Sequence, residues 1–241
     1  MRINWRIPIL VSVGYLLAVP LGIKIMRNRP PFDIKYLLFM WNLCLAVFSI
    51  IGTVRILPVV FYSFFANGPL YHICRRGDIG YGYGSVGLWC VLFVLSKYAE
   101  LVDTLFLVLR KKPVPFLHWY HHASVLLLSI GTMMVYGPSG IIMIAMNYFV
   151  HSIMYTYYAI AAVRKPPSWG KYVTVLQIAQ MVGGLAMLGL IVFGAHYVPN
   201  CEVQAYNVYA IGFIYLSYLI LFVQFYINRY RADRSVSKKV L

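Results

Sequence analysis

Hydrophobic residues occur along this chain in long runs that are separated by short polar segments. Seven runs reach the roughly 20 mostly apolar residues that a bilayer-spanning helix needs. They lie near 7–26, 36–60, 84–109, 116–136, 140–163, 172–195 and 205–228. No internal repeat or disordered linker divides the chain. The pattern therefore predicts an all-α integral membrane protein with seven transmembrane helices and a single membrane domain over residues 1–241.

The composition supports a membrane protein and narrows the choice of partners. The chain is 61% hydrophobic and 11% charged, whereas soluble domains average about half apolar and a quarter charged. A net charge of +15 would also suit a nucleic-acid-binding protein, but the basic residues lie in short segments between the apolar runs. This distribution favours the lipid bilayer surface or an anionic small molecule as partner and argues against nucleic acid.

Lysine and arginine predict which loops face the cytosol, where basic residues are enriched. The first, third and fifth loops and the tail 229–241 are basic, whereas the fourth and sixth loops contain neither residue. Arg75 and Arg76 in the second loop depart from the alternation. The C-terminus is therefore expected to be cytosolic and the N-terminus lumenal. The final KKVL has the form of a dilysine retrieval signal, Lys238 and Lys239, which predicts the endoplasmic reticulum membrane.

The cysteines fall into two classes on this topology. Cys74 and Cys201 lie in the second and sixth loops, which are both predicted to be lumenal. Disulfides persist in that compartment, so we predict that these two cysteines pair. Cys44 and Cys90 lie inside apolar runs and are expected to be packing residues.

The third span contains four polar residues in the stretch KYAELVDT, namely Lys97, Glu100, Asp103 and Thr104. At a helical period these four share one face about 120° wide. Ionisable residues within a membrane are costly and point to function by default. Arg55 in the second span adds a second cation, so two cations and two acids are expected to neutralise one another. Such a network either fixes helix packing or takes part in the chemistry.

Three more spans each carry a polar face at helical spacing. Their residues are His118, His121 and His122 in the fourth span, Asn147, His151, Met154, Tyr155 and Tyr158 in the fifth, and Thr174, Gln177 and Gln180 in the sixth. Four helices with polar faces inside apolar sequence predict a shared polar chamber.

Two chemistries suit such a chamber, and the residues alone leave them close. His118 and His122 have the i, i+4 spacing of zinc ligands, with His151 as a third ligand and Asp103 as a fourth or outer acid, as in a zinc-dependent hydrolase. Alternatively, an imidazole acts as a covalent catalyst. An uncharged imidazole is already a nucleophile, and its acyl adduct survives where water is excluded. A seven-helix transporter or receptor is a further alternative, although the sequence shows no matching pair of interrupted segments.

These polar stretches resemble the signature boxes of the ELO family of fatty-acid elongases. The boxes follow the family order along the chain. They are K-x-x-E-x-x-D-T at Lys97, Glu100, Asp103 and Thr104, H-x-x-H-H at His118, His121 and His122, N-x-x-x-H-x-x-M-Y-x-Y-Y at Asn147, His151, Met154, Tyr155, Tyr157 and Tyr158, and T-x-x-Q-x-x-Q at Thr174, Gln177 and Gln180.

The resemblance implies a seven-helix enzyme of the endoplasmic reticulum, six of whose helices enclose a narrow substrate tunnel. Such an enzyme condenses a long-chain acyl-CoA with malonyl-CoA and releases CoA, CO₂ and a 3-ketoacyl-CoA two carbons longer. It implies no metal and no cofactor beyond the two substrates, which makes zinc a minor alternative. The other enzymes of the elongation cycle are expected partners, and a homo- or hetero-oligomer remains open.

The resemblance also implies roles for individual residues. His121 is the expected acyl carrier, with His151 as its companion, and His118, His122 and Asn147 orient these rings or bind the enolate. At position 119, inside the histidine box, this chain has Trp, as do family members that act on saturated and monounsaturated chains. Substrate and CoA contacts are expected from Lys97, Glu100, Asp103, Thr104, Tyr155, Tyr158, Gln177 and Gln180, and from the loop cations Arg110, Lys111, Lys165 and Lys171.

Overall fold

The computed structural model describes residues 6–68, 84–135, 140–198, 201 and 205–237, which form helices and connecting loops without a strand. The helices are α1 (Arg6–Met26), α2 (Lys35–Asn67), α3 (Gly84–Glu100), α4 (Val102–Leu109), α5 (Phe116–Val135), α6 (Gly140–Val163), α7 (Gly170–Tyr197) and α8 (Ala205–Ser237). The predicted all-α fold is confirmed. Each predicted span overlaps one helix or, for the third span, the pair α3 and α4.

A single tightened turn at Leu101 separates α3 from α4. Leu101 keeps right-handed helical angles, with φ −60° and ψ −25°. The amide nitrogens of Leu101 and Thr104 bond to carbonyls three residues back, each at 3.3 Å, instead of four. α3 and α4 therefore form one continuous helix, and the described residues make seven helices in all. The turn divides the predicted polar face between Glu100 and Asp103.

Proline and glycine mark where several helices end. Pro113 and Pro115 follow α4, and Pro166 and Pro167 follow α6. Proline lacks an amide hydrogen and disfavours helical geometry in the residue before it, so each pair stops its helix. Gly68, after α2, has a φ of 78°, which glycine adopts without steric cost.

Six helices pack in a closed ring, and α1 lies outside it. Around the ring, α2 contacts α6, α6 contacts α7, α7 contacts α8, α8 contacts α5, α5 contacts α3, and α3 contacts α2. α1 packs against the outer side of α5 and α4. The interior of the ring is therefore bounded by side chains from six helices, whereas α1 can reach it only between its neighbours.

Two glycines allow neighbouring helices of the ring to approach closely. A Cβ added at Gly52 on α2 would overlap the ring of Tyr148 on α6, and one added at Gly184 on α7 would overlap the ring of Tyr215 on α8. Small residues serve the same purpose at helix contacts in membranes generally.

Within the described residues, four helices are long and apolar enough to cross a membrane. They are α1, α2, α7 and the segment Val208–Tyr230 of α8. Large apolar side chains such as Leu10, Leu17, Phe65 and Phe213 point outward from the bundle. Such outward-facing apolar surface is what a bilayer requires of a helical membrane protein. The seven-span topology and its orientation stay predictions.

Three of the predicted residues lie outside the described part of the chain. They are Cys74, one half of the predicted disulfide, and Lys238 and Lys239 of the dilysine signal. The disulfide and the retrieval signal therefore stay predictions. Cys44 and Cys90 are free thiols. Cys90 is buried as expected, whereas Cys44 is exposed on α2.

Candidate active site

A cavity of 530 Å³ lies between the helices of the ring and is lined mainly by apolar atoms. It reaches the ends of α4 and α6, where Arg110 and Ala162 line it, and Arg229 lines it near the end of the apolar segment Val208–Tyr230 of α8. The predicted site residues that line it are Asp103, Arg110, His118, His121, His122, Asn147, His151, Tyr155, Tyr158, Gln177 and Gln180.

The other predicted site residues do not line this cavity. Lys97, Glu100 and Thr104 are buried behind its wall, with exposed fractions of 1%, 3% and 2%. The loop cations Lys111, Lys165 and Lys171 are exposed on the surface. Their loops are basic in sequence, but basic loops are expected at the cytosolic side of any membrane protein.

The three histidines of α5 face the cavity together because they lie at positions i, i+3 and i+4. The ring centroids of His118 and His122 are 4.4 Å apart, and those of His121 and His122 are 5.5 Å apart. His121 also packs against the Tyr218 ring of α8, at a centroid distance of 4.9 Å.

These histidines differ in how their ring nitrogens are engaged. His118 Nε2 is 2.9 Å from the hydroxyl of Thr104. His122 is 7% exposed, and its Nδ1 has no hydrogen-bond partner in the described part of the chain. For His121, we find no ring-nitrogen hydrogen bond among the described residues. Buried polar atoms are nearly always paired, so an unpaired imidazole nitrogen in a cavity is a functional candidate.

A second polar cluster lies behind the wall and joins α3 to α6. Lys97 Nζ donates to Glu100 Oε1 at 2.7 Å and to Asn147 Oδ1 at 3.0 Å. Ser96 Oγ donates to the same Glu100 oxygen at 3.0 Å. Asn147 Nδ2 is 3.2 Å from His151 Nε2, and His151 Nδ1 is 3.9 Å from Glu100 Oε2. The third-span charges therefore pair with each other and with the N-x-x-x-H box.

This cluster fixes which nitrogen of His151 carries a hydrogen. The Asn147 amide oxygen accepts from Lys97, so the amide NH₂ group faces His151. His151 Nε2 is then the acceptor, and the ring hydrogen is on Nδ1, toward Glu100. In this arrangement the Nε2 lone pair of His151 is occupied, unlike the ring nitrogens of His121.

Asp103 belongs to a separate cluster, because six residues of helix put it about 120° around the axis from Lys97. Trp41 Nε1 of α2 donates to Asp103 Oδ1 at 2.6 Å, and the Tyr155 hydroxyl of α6 donates to Oδ2 at 2.8 Å. Both carboxylate oxygens of Asp103 are thus engaged at the cavity wall. This acid links three helices of the ring.

Arg55 does not join the buried charges, contrary to the prediction. Gly52, Ile56 and Val60 form the buried stripe of α2. Arg55, one residue before Ile56, lies about 100° around the helix from it, and its side chain is exposed. In the described part of the chain, the cation that pairs with Glu100 is Lys97.

The polar residues of α7 complete the wall opposite the histidines. Thr174, Gln177 and Gln180 all line the cavity, as their spacing of three predicts. Gln177 Nε2 donates to the Met154 sulfur at 3.2 Å. Gln180 is buried. These residues put amide groups within the otherwise apolar half of the site.

Several site residues have no place in the sequence boxes. Trp41 holds Asp103, and Tyr218 and Phe222 of α8 pack against His121. Phe222, Phe225 and Arg229 line the cavity from α8. Tyr218, Phe222, Phe225 and Arg229 occur at i, i+4, i+7 and i+11, a helical spacing that the sequence does contain. Trp41 gives no such signal, since no periodic pattern connects it to the third span.

The described residues do not form the zinc site considered above. No group of three His, Cys, Asp or Glu side chains among them is placed to hold a metal ion. His118 Nε2 is turned to Thr104, and His151 Nε2 is turned to Asn147.

The chain is similar to fatty acid elongases along nearly its whole length. The sequence profile of the ELO family, described as the GNS1/SUR4 family, matches residues 1–238. Long chain fatty acid elongase 2 of Caenorhabditis elegans is 38% identical over 233 residues, which cover 95% of this chain and 84% of that protein. Very long chain fatty acid elongase 6 of Gallus gallus is 36% identical over 243 residues, which cover 100% of this chain and 90% of that protein. The Homo sapiens protein of the same name is 36% identical over 233 residues, which cover 95% of this chain and 86% of that protein. The chain therefore belongs to the ELO family.

Proposed function

We propose that this protein is a fatty-acid elongase that condenses a long-chain acyl-CoA with malonyl-CoA through an acyl-histidine intermediate. The products are CoA, CO₂ and a 3-ketoacyl-CoA two carbons longer. Family membership and the names of the relatives support elongation. The observation that carries the mechanism is His121, which lines an apolar cavity with both ring nitrogens unengaged among the described residues.

In the first half-reaction, His121 attacks the thioester carbonyl of the acyl-CoA. A bond forms between a ring nitrogen and the acyl carbon, and the carbon–sulfur bond breaks. The ring hydrogen and the departing thiolate together give CoA-SH, so the acyl-imidazole is uncharged. The apolar walls exclude water, which would otherwise hydrolyse this adduct.

In the second half-reaction, malonyl-CoA loses CO₂ and leaves an enolate thioester. The enolate carbon attacks the acyl carbon on His121, the carbon–nitrogen bond breaks, and one proton taken up restores the imidazole. An apolar site favours this decarboxylation, because it disfavours a carboxylate more than neutral CO₂. Val150, Met154 and Met181 supply part of this apolar wall.

The neighbouring groups suit the binding of the developing oxyanions. Asn147 has a second amide hydrogen beyond the one directed at His151, and it lines the cavity. We assign Asn147, oriented by His151, to the malonyl thioester oxygen, and His122, with its Nδ1 unpaired among the described residues, to the acyl carbonyl oxygen. Hydrogen-bond donors aimed at developing charge in a dry site are among the largest contributions to catalysis.

The phosphates of CoA are assigned to the two arginines that line the cavity. Arg110 and Arg229 have this position, and guanidinium groups bind phosphate by paired hydrogen bonds. Lys97 is reassigned from CoA binding to structure, because its ammonium group is buried and engaged by Glu100 and Asn147.

The remaining assignments follow from the resemblance and the predicted topology. The protein is proposed to reside in the endoplasmic reticulum membrane, with the acyl chain held in a tunnel within the ring and the other elongation enzymes as partners. A preference for saturated or monounsaturated chains follows from Trp119. A panel of acyl-CoAs that differ only in unsaturation tests that preference, and fastest turnover of a polyunsaturated chain would overturn it.

Condensation is tested with the purified full-length protein, a long-chain acyl-CoA and malonyl-CoA labelled with ¹³C at its methylene carbon. Mass spectrometry should detect a labelled 3-ketoacyl-CoA two carbons longer in wild type. The matched control is His196→Ala, since His196 is exposed at the end of α7 and outside the cavity. It should behave as wild type, whereas His121→Ala should not.

The same assay separates the two alternatives. A zinc hydrolase would release free fatty acid, lose activity with a chelator and regain it with zinc. A transporter or receptor would leave both CoA esters unchanged. Either result would overturn the proposed function.

A further inference from the structure

We propose that Tyr15 of α1 is a positioning residue for His118 and acts through Thr104. The inference rests on the proposed function, because it gives α1 a part in the condensing site. α1 lies outside the ring of six helices and contributes none of the four sequence boxes. Its side chains nevertheless reach the histidine face at one point.

Two short hydrogen bonds connect α1 to the histidine box. The Tyr15 hydroxyl is 2.7 Å from Thr104 Oγ1, and Thr104 Oγ1 is 2.9 Å from His118 Nε2. Tyr15 is 9% exposed and Thr104 is 2% exposed. At such burial a lost partner is not readily replaced by bulk water, so both bonds constrain the groups they join.

The chain of bonds has a direction, because the Thr104 hydroxyl has only one hydrogen. If Thr104 donates to His118, it accepts from Tyr15, and the ring hydrogen of His118 is on Nδ1. If His118 donates, its ring hydrogen is on Nε2, and Thr104 either donates to Tyr15 or accepts from it. In either direction the Tyr15 hydroxyl completes the arrangement that fixes the His118 ring.

The ring held in this way adjoins the proposed reaction centre. His118 and His122 have ring centroids 4.4 Å apart, and His122 adjoins His121 at 5.5 Å. A rotation of His118 would therefore displace the unpaired His122 ring. Loss of the Tyr15 hydroxyl should disturb turnover more than substrate binding, because Tyr15 does not line the cavity.

Conservative variants distinguish a positioning role of the Tyr15 hydroxyl from a packing role of the Tyr15 ring. Tyr15→Phe keeps the ring and removes only the hydroxyl. Thr104→Val keeps the shape and removes the link, and Thr104→Ser keeps the hydroxyl. The matched control is Tyr62→Phe, which removes the same group from a side chain that is 76% exposed on α2.

The kinetic test is a double-mutant cycle on condensation. Tyr15→Phe should lower kcat about two- to tenfold, the change that corresponds to one neutral hydrogen bond, with KM for both substrates unchanged. The Tyr15→Phe/Thr104→Val protein should be no slower than Thr104→Val alone. Thr104→Ser should retain most of the wild-type kcat, and Tyr62→Phe all of it. The proposal would be overturned if the kcat losses of the two single variants multiplied in the double variant, or if Tyr15→Phe had the wild-type kcat.

A spectroscopic test does not depend on turnover. In protein labelled with ¹⁵N-histidine, Tyr15→Phe and Thr104→Val should shift the same pair of ring-nitrogen signals, which His118→Gln removes. Unchanged His118 signals would refute the proposal even if activity falls. Shifted signals in a protein whose wild type forms no 3-ketoacyl-CoA would support the positioning contact and reject the proposed function.

Discussion

The histidines of α5 and the charged residues of α3 are both buried polar groups, but they differ in which way their polar atoms turn. Lys97 does not line the cavity, and its ammonium group bonds to Glu100 and Asn147 at 2.7 and 3.0 Å. His121 and His122 line the cavity, and His122 Nδ1 has no partner among the described residues. One group is thus satisfied within the fold, and the other is left open to a ligand.

The difference separates residues that hold the site from residues that react. A buried ion pair adds little net stability, but breaking it is costly because one charge is left unpaired. An unpaired buried nitrogen has a cost of its own, which is expected where the group must bind a substrate. Glu100 Oε2 is the exception within α3, since it has no hydrogen-bond partner among the residues that the structure describes and faces His151 Nδ1 at 3.9 Å.

The largest effect is expected at the cavity face. His121→Ala should lower the condensation rate by on the order of 10² to 10⁴, as for other positioned catalytic side chains. The free energy of unfolding should fall only by the packing of the ring against Tyr218 and Phe222, since the variant removes no hydrogen bond of the His121 ring among the described residues. Condensation assays and thermal unfolding in detergent measure the two quantities, with His196→Ala as the control. Condensation within twofold of wild type would remove His121 from the mechanism.

Loss of the buried cation Lys97 is expected to act mainly on stability. Lys97→Met should lower the free energy of unfolding by about 3–5 kcal/mol, because Glu100 is then buried without its cation. Adding Glu100→Gln should recover part of the loss, which denaturant titration of the solubilised protein would measure. If the double variant were as unstable as Lys97→Met, the ion pair would not be the cause.

The smallest effect is expected at Arg229, an exposed residue that lines the cavity. Arg229→Gln should raise the KM for acyl-CoA about threefold, the scale of one exposed ion pair, without changing kcat. Lys171→Gln removes the same charge from a residue that does not line the cavity, and its KM should match wild type. Equal increases in both variants would mean that overall charge, and not the Arg229 position, governs CoA binding.

The sequence predicts the helices and the cavity-facing residues well, because both depend on a helical period. His118, His121 and His122 share a face for this reason, as do Thr174, Gln177 and Gln180. The third span shows the limit of that argument, since Lys97 and Asp103 lie at the two edges of a face about 120° wide. Lys97 bonds to Asn147, whereas Asp103 bonds to Trp41 and Tyr155.

Contacts between helices distant in sequence were not predictable from periodicity. Arg55 was expected in the ion network because it is a cation in an apolar run, but the rotation of α2 puts it on the exposed side. Tyr15 and Trp41 reach Thr104 and Asp103 only because of how α1 and α2 pack on the α3–α4 helix. Helix rotation depends on the packing of many side chains and is not encoded by any short motif.

The central claim, that a cavity histidine carries the acyl group, is tested most directly by intact mass spectrometry. The purified protein is incubated with a long-chain acyl-CoA in the absence of malonyl-CoA. A mass gain of one acyl group is expected in wild type and in His196→Ala, absent in His121→Ala, and lost again when malonyl-CoA is added. A protein that condenses the two substrates but shows no adduct would contradict the claim, and direct attack on the acyl-CoA thioester would replace it.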